Sequence, residues 1–290
     1  MNTKSLVEAY INACNVYEDI QEDYNEPGFL KRLRAQEEVL QSCVQHLREA
    51  ADSPDPAVWH TLGNACTAGR GTKRDHVEAI QWFQRAADTA YPPAMVNLGL
   101  RLRHRNQASD QVAAIELFRK AAEKGYASGM VWLGFSYREG TGVPCDHGEA
   151  VRWFTKAVEA GDGHSMIHVG RMYRNMSLPN QAIPWFLRAA EAEFSESFIE
   201  LASIYDDRES EVYNPAEAHK WYRVVAEHSE GTASRALLAI ARQHMDGVGV
   251  PCDVEMAKLW LRRLLHAVPE KSSAYREATK LLKKIEGLLL

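Results

Sequence analysis

One five-residue segment recurs six times along this chain, and its spacing leaves little freedom in the fold. Ala79-Ile80-Gln81-Trp82-Phe83 is followed by Ala114-Ile115-Glu116-Leu117-Phe118, Ala150-Val151-Arg152-Trp153-Phe154, Ala182-Ile183-Pro184-Trp185-Phe186, Ala218-His219-Lys220-Trp221-Tyr222 and Ala257-Lys258-Leu259-Trp260-Leu261. The anchors at 82, 117, 153, 185, 221 and 260 stand 35, 36, 32, 36 and 39 residues apart. A second marker keeps the same intervals: Leu62-Gly63, Leu98-Gly99, Leu133-Gly134, Val169-Gly170, Leu201-Ala202 and Ile240-Ala241. Two markers in step through the chain describe a tandem array of supersecondary units.

Each unit reads as a pair of helices. Four and five residues past each anchor lies a mostly small apolar pair, Ala86-Ala87, Ala121-Ala122, Ala157-Val158, Ala189-Ala190, Val225-Ala226 and, larger, Leu264-Leu265. That spacing puts the small groups on the same side of a helix as the bulky residue, where neighbouring backbones approach. Between the helices, Gly69 and Gly71, Gly140 and Gly142, Gly247 and Gly249 can adopt the left-handed conformation that ends a helix. Asp75, Asp110, Asp146, Asn214 and Asp253, each seven residues before an anchor, suit the N-cap of the second helix, and Pro215 fits its first position. The fourth unit is four residues short in this loop, which moves its expected cap to Asn180 and puts Pro184 at the edge of the first turn.

The pattern small residue, Leu-Gly, Tyr, Gly-x-Gly-Val, Asp, Ala-x-x-Trp, Ala-Ala, Gly resembles that of Sel1-like repeats. Residues 129–161 carry nearly all of it in Leu133, Gly134, Tyr137, Gly140, Gly142, Val143, Asp146, Ala150, Trp153, Ala157 and Gly161. The resemblance covers roughly residues 56–266; the second, fourth and fifth units lack the loop glycines. It implies an all-α fold, a right-handed superhelical α/α solenoid of about six tetratricopeptide-related helix-pair repeats with N- and C-terminal capping helices. The expected repeats are 57–91, 92–126, 127–162, 163–194, 195–231 and 232–266, between an N-terminal helix pair (1–50) and a C-terminal helix (271–290).

A stack of repeats needs end helices with one polar face. Val7, Ile11, Cys14 and Tyr17 or Ile20 mark one amphipathic helix, and Leu30, Leu33, Leu40, Cys43, Val44 and Leu47 mark another. Tyr275, Ala278, Leu281, Leu282, Ile285 and Leu289 mark the last, with Lys283 and Lys284 facing out. Ser53, Pro54, Asp55 and Pro56 separate the first pair from the array. That pair reads as part of the stack, the alternative being a short independent docking segment.

Composition bears mainly on location and partners. Lys and Arg number 34 against 39 Asp and Glu, a net charge of -5, so nothing overall favours nucleic acid or an anionic membrane. Residues 1–24 have no continuous apolar core of a secretory signal, and no stretch approaches the ~20 apolar residues of a membrane span. Five scattered cysteines, Cys14, Cys43, Cys66, Cys145 and Cys252, argue against a disulfide framework and for a reducing compartment. The expected location is the cytoplasm.

No set of residues has the spacing of a catalytic site, and no cofactor is expected. His164 and His168 could share a helix face as two metal ligands, but the Glu that usually follows the first His is absent, and they read as packing residues. Cys145-Asp146-His147 gathers thiol, carboxylate and imidazole. The sixth unit reads Cys252-Asp253-Val254 at the same place, so the Asp is explained as a cap and the His is dispensable. The stripe of Trp82, Trp153, Trp185, Trp221 and Trp260 reads as a packing ridge between repeats rather than a platform for stacking bases.

In related tetratricopeptide arrays the first helices line a concave surface, with the residues two and five after the marker pointing into it. That analogy places Thr67, Arg103, Arg138, Arg174, Asp206 and Met245 at the later position and Asn64, Leu100, Phe135, Arg171, Ser203 and Arg242 at the earlier. Arg103, Arg138, Arg171, Arg174 and Arg242, with Leu100 and Phe135, then form the candidate partner-binding set. Arginine's planar fork suits carboxylates, so the expected partner is a protein or peptide with an acidic segment, not nucleic acid or membrane. The expected function is a non-enzymatic interaction adaptor or regulatory protein; by resemblance this extends to bacterial signalling, host interaction or the neutralising of an effector by an immunity protein. The alternative is an enzyme, or a protein binding a small ligand or glycan, with a site built from inter-repeat loops.

Overall fold

The computed structural model describes residues 2–22, 28–105, 107–228 and 233–287, which form fifteen α-helices and no strand. They divide into two compact units, residues 1–160 and 161–290. The first contains α1 (Thr3–Glu22), α2 (Phe29–Glu49), α3 (Pro56–Ala68), α4 (His76–Asp88), α5 (Pro92–His104), α6 (Ala108–Glu123), α7 (Ala127–Glu139) and α8 (His147–Glu159). The second contains α9 (Ser165–Asn175), α10 (Pro179–Glu191), α11 (Glu196–Tyr205), α12 (Pro215–His228), α13 (Ala233–Asp246), α14 (Val254–Ala267) and α15 (Ser273–Ile285). Within each unit, successive helices pack chiefly on their neighbours in the chain, the contact pattern of an all-α solenoid of stacked helix pairs.

In the first four repeats the largest fully buried side chain is the residue after the anchor. Phe83, Phe118, Phe154 and Phe186 are fully buried, whereas Trp82, Trp153 and Trp185 are only partly so. Each Phe ring lies on the glycine of its own unit's marker. A Cβ added to Gly63, Gly99, Gly134 or Gly170 would come within 2.6 Å of a ring carbon, so the second helix sits closer to the first than any side chain would allow. In the sixth repeat Leu261 replaces the ring and Ala241 replaces the glycine, in one apolar cluster.

The loop glycines have a comparable cause. Gly69, Gly140 and Gly247 have φ of 72°, 70° and 68°, ending α3, α7 and α13 in the left-handed region. Two residues on, Gly71 lies against the Leu40 backbone, Gly142 against Gln111 and Gly249 against Pro215. Each loop thus rests on the second helix of the pair before it, where a Cβ would meet a carbonyl.

The caps follow the expectation at four positions and depart from it at two. Asp75 accepts from the amides of Val77 and Glu78, Asp146 from Glu149, Asp253 from Met256 and Asn214 from Glu217. Asp110 is not a cap: α6 begins about a turn earlier, after Gln107, leaving Asp110 inside the first turn. Nor is Asn180, because Pro179 starts α10 and the Asn180 amide donates to the Glu211 carboxylate at 2.5 Å. Pro184 therefore lies inside α10, not at the edge of its first turn.

The helices outside the repeats pack on them. α1 buries Tyr10, Ala13 and Cys14, so its inner face is turned from the expected one and Ile11 is 49% exposed. On α2, Leu40, Val44 and Leu47 are buried while Leu30 stands out in solvent. This pair is tied to the first repeat by the Arg70–Glu18 ion pair (2.6 Å) and by the Trp59 indole N–H donating to the Ala51 carbonyl (2.7 Å). α15 packs on α14 and α13 through Ala278, Leu281, Leu282 and Ile285, with Lys283 and Lys284 exposed; Leu289 lies outside the described residues.

Candidate functional site

In the first unit, Arg103 and Arg138 occupy the last turns of α5 and α7 and converge on one carboxylate, Glu139. Arg103 also lies over the Trp132 ring, 5.3 Å from its centroid, and Arg138 over Phe135 at 4.7 Å. Trp132 and Phe135 contact each other with centroids 5.4 Å apart, and Leu100 packs partly buried on the same core. Two guanidinium groups against one carboxylate leave a surplus positive charge above an aromatic floor. Cation–π contact keeps both guanidinium planes on that floor.

In the second unit, Arg171 and Arg174 of α9 both bond Glu200 of α11, whose side chain is 8% exposed. Arg171 donates to it at 2.6 Å and reaches Glu196 at 3.4 Å. A carboxylate this deep needs such partners, since an unpaired buried charge costs several kcal/mol. Arg242 of α13 pairs with Glu277 of α15 at an exposed site.

Five arginines singled out from sequence are thus each already paired, in four cases with a glutamate of the following helix pair or α15. Arg103 and Glu139 are 36 residues apart, and Arg242 and Glu277 are 35 apart. That separation is one repeat length, so a search for acids one period downstream of each arginine would have found these two pairs. Trp132, one residue before the marker, was also missed, because it lies outside the Trp stripe.

The stripe itself carries cations. Lys156 lies 4.2 Å from the Trp153 centroid, Arg188 4.8 Å from Trp185 and Arg263 5.4 Å from Trp260, always three residues on; Arg85 lies 4.3 Å from Trp59. One helical turn puts the cation on the outer ring face, so these indoles are covered by the chain's own side chains.

The remaining candidates have local roles. His164 and His168 stack edge-on at 5.3 Å, and among the described residues no group of three or more His, Cys, Asp or Glu is placed to hold a metal ion. Cys145 and Cys252 are exposed, free, and make the same contact in their two loops, to the carbonyls of Arg138 and Met245. His60 faces Asn97, which lies 3.0 Å from its Nε2 and also donates to Asn64. Burial pulls this imidazole down to about 4, so it is neutral at pH 7. Among the described residues no helix is long and apolar enough to cross a membrane.

Comparison with known proteins gives the array a family. The Sel1 repeat profile matches residues 62–88, 92–126, 127–162, 165–194, 200–228 and 234–264, more than half of the chain. No curated protein sequence matches. Among solved structures the chain is similar to c5321, a protective antigen of uropathogenic Escherichia coli displaying an SLR fold, with 28% identity and a TM-score of 0.69 over 85% of this chain and 52% of that one. The chain therefore spans about half the length of that protein. It is also similar to a Sel1 repeat protein from Oxalobacter formigenes, with 25% identity and a TM-score of 0.60 over 80% of this chain and 93% of the other. Yeast Tom70 shares the fold at 15% identity and a TM-score of 0.52, over 90% of this chain and 55% of its own. With six matched repeats in register with six helix pairs, the chain belongs to the Sel1 repeat family.

Proposed function

We propose that this chain is a protein-binding adaptor or regulatory protein, and that the first-helix face of its first unit holds an acidic peptide or protein surface. The observation that carries this reading is the shared carboxylate: Glu139 serves both Arg103 and Arg138, so an incoming carboxylate can take one guanidinium without leaving a buried charge unpaired. Leu100, Phe135 and Trp132 supply the apolar surface beside it. In the second unit, Arg171 and Arg174 offer their outer N–H groups to the same kind of ligand while holding Glu200, and Arg242 trades Glu277 for a partner's acid. Neutralising an effector is one regulatory use of such a face. A reducing, cytoplasmic location accords with five free thiols, two of them exposed.

Arg138 is the cleanest probe, because its partner Glu139 is exposed and keeps Arg103. Arg138→Glu should weaken binding of a fluorescent poly-glutamate peptide by about tenfold or more, corresponding to loss of one charge-assisted contact and its replacement by repulsion, with an unchanged helical spectrum. Equal affinity of the variant and the parent protein would sink the reading. Arg174→Glu is a poorer probe, since it also deprives the buried Glu200 of a partner.

A further inference from the structure

We infer a second binding site, on the loop edge of the first unit, where the second repeat leaves uncovered a surface of the kind that the first, third and sixth repeats cover with their own loops. In the first, third and sixth repeats the Gly-x-Gly loop lies on the beginning or middle of the preceding second helix, as shown by Gly71 on Leu40, Gly142 on Gln111 and Gly249 on Pro215. Counting from the anchors, Gln111 and Pro215 correspond to His76 on α4, and the Ile115 that Gly142 also touches corresponds to Ile80. The loop due to cover His76 and Ile80 belongs to the second repeat, between α5 and α6.

Arg105 stands where Gly69, Gly140 and Gly247 stand in their repeats, but its φ is -72° instead of about +70°. Only residues 105–107 separate α5 from α6, whose first turn absorbs the rest; residues 140–146 separate α7 from α8. Ile115, which has its loop, is 3% exposed, while Ile80 is only partly buried.

What remains is a cavity of about 540 Å³ lined by His76, Val77, Ile80, Arg101, His104 and Arg105. Its floor is aliphatic, its rim holds two arginines and two histidines, and none of the described residues that line it is an acid. The Arg101 Nε is buried there with no hydrogen-bond partner. The covered positions show what shape fits: a glycine whose backbone can touch the helix, followed in the third repeat by Val143, which packs on the core. In the first repeat the loop's Gly71 amide is also met by a carboxylate, Glu37, at 3.3 Å. The cavity therefore takes a partner's loop or extended segment that carries glycine next to an aliphatic residue, flanked by Asp or Glu for the cationic rim. This site shares no residue with the Arg103–Arg138 face and stands or falls apart from it.

The test uses the full chain with ¹³C-labelled methyl groups and an acetylated peptide, Glu-Asp-Gly-Val-Pro-Asp-Glu. The methyls of Val77 and Ile80 should shift on titration, and His104→Glu combined with Arg105→Glu should weaken that response by about tenfold or more. Both side chains are exposed; if the double variant loses helical signal, Arg105→Gln alone takes its place. Arg138→Glu should leave the Val77 and Ile80 response intact while affecting Leu100. The inference is overturned if these methyls do not move, if a peptide with Ser for Val moves them as far, if inorganic phosphate alone reproduces the shifts, if the rim variants bind as the parent does, or if a second copy of this chain occupies the cavity.

Discussion

Gly63, Gly99, Gly134 and Gly170 set the distance between the two helices of a repeat. Helix interiors ordinarily favour alanine over glycine by roughly 0.5–1 kcal/mol, so a glycine kept against that preference needs a packing reason. The ring of the following Phe supplies it. Gly134→Ala would place a Cβ 2.6 Å from a ring carbon of the fully buried Phe154, and overpacking of this kind costs about 1–3 kcal/mol. Urea denaturation should show net destabilisation despite the better helix former; a stabilised variant would mean the ring has room to move. His60 makes a second residue-scale prediction. Its pKa in the folded protein, about 4, lies below the roughly 6.5 of an unfolded chain, so the native state disfavours the proton. Stability from this residue is fully present above pH 6.5 and is lost as pH falls toward 4. His60→Gln should flatten that part of the stability profile, which thermal melts across the range would detect.

At the scale of elements, most of the array was legible because its signals are local and repeat. The marker pair, the left-handed glycines and four of the six caps are decided within a dozen residues, and the structure places them as their chemistry requires. Where the reading failed, a neighbouring helix decided. Asp110 lost its cap role because α6 gained a turn in place of a loop, and Asn180 because Pro179 could start α10 itself and the Asn side chain found Glu211. The inner face of α1 depends on the surface it meets in α2 and α3, which its own apolar spacing does not encode; this is why Tyr10 is buried and Ile11 exposed. Pro184 is the element most at odds with its surroundings. Inside α10 it has no N–H to give the Asn180 carbonyl one turn back, and helix-interior proline costs about 3 kcal/mol or more in regular helices. Pro184→Ala should therefore raise the unfolding midpoint, by an amount equivalent to roughly 1–3 kcal/mol at this exposed position. A lower midpoint would show that the proline is needed for packing.

For the whole chain, one period organises both the core and the charges. Phe83, Phe118, Phe154 and Phe186 repeat the core, while Arg103–Glu139 links one helix pair to the next and Arg242–Glu277 links the last pair to α15, at 36 and 35 residues. The arginine series was visible in the sequence, but its pairing was not, because each partner lies on a different helix a repeat away. That pairing replaces the expected bare basic face with arginines held by the chain's own carboxylates, with a surplus charge at Arg103 and Arg138. We propose that this face holds a protein partner. Affinity purification from the native cell, with the parent chain and Arg138→Glu run side by side and read by mass spectrometry, tests it most directly. One dominant, stoichiometric, acidic protein should be retained by the parent and lost from the variant; a partner retained equally by both, or none in repeated captures, would overturn the proposal.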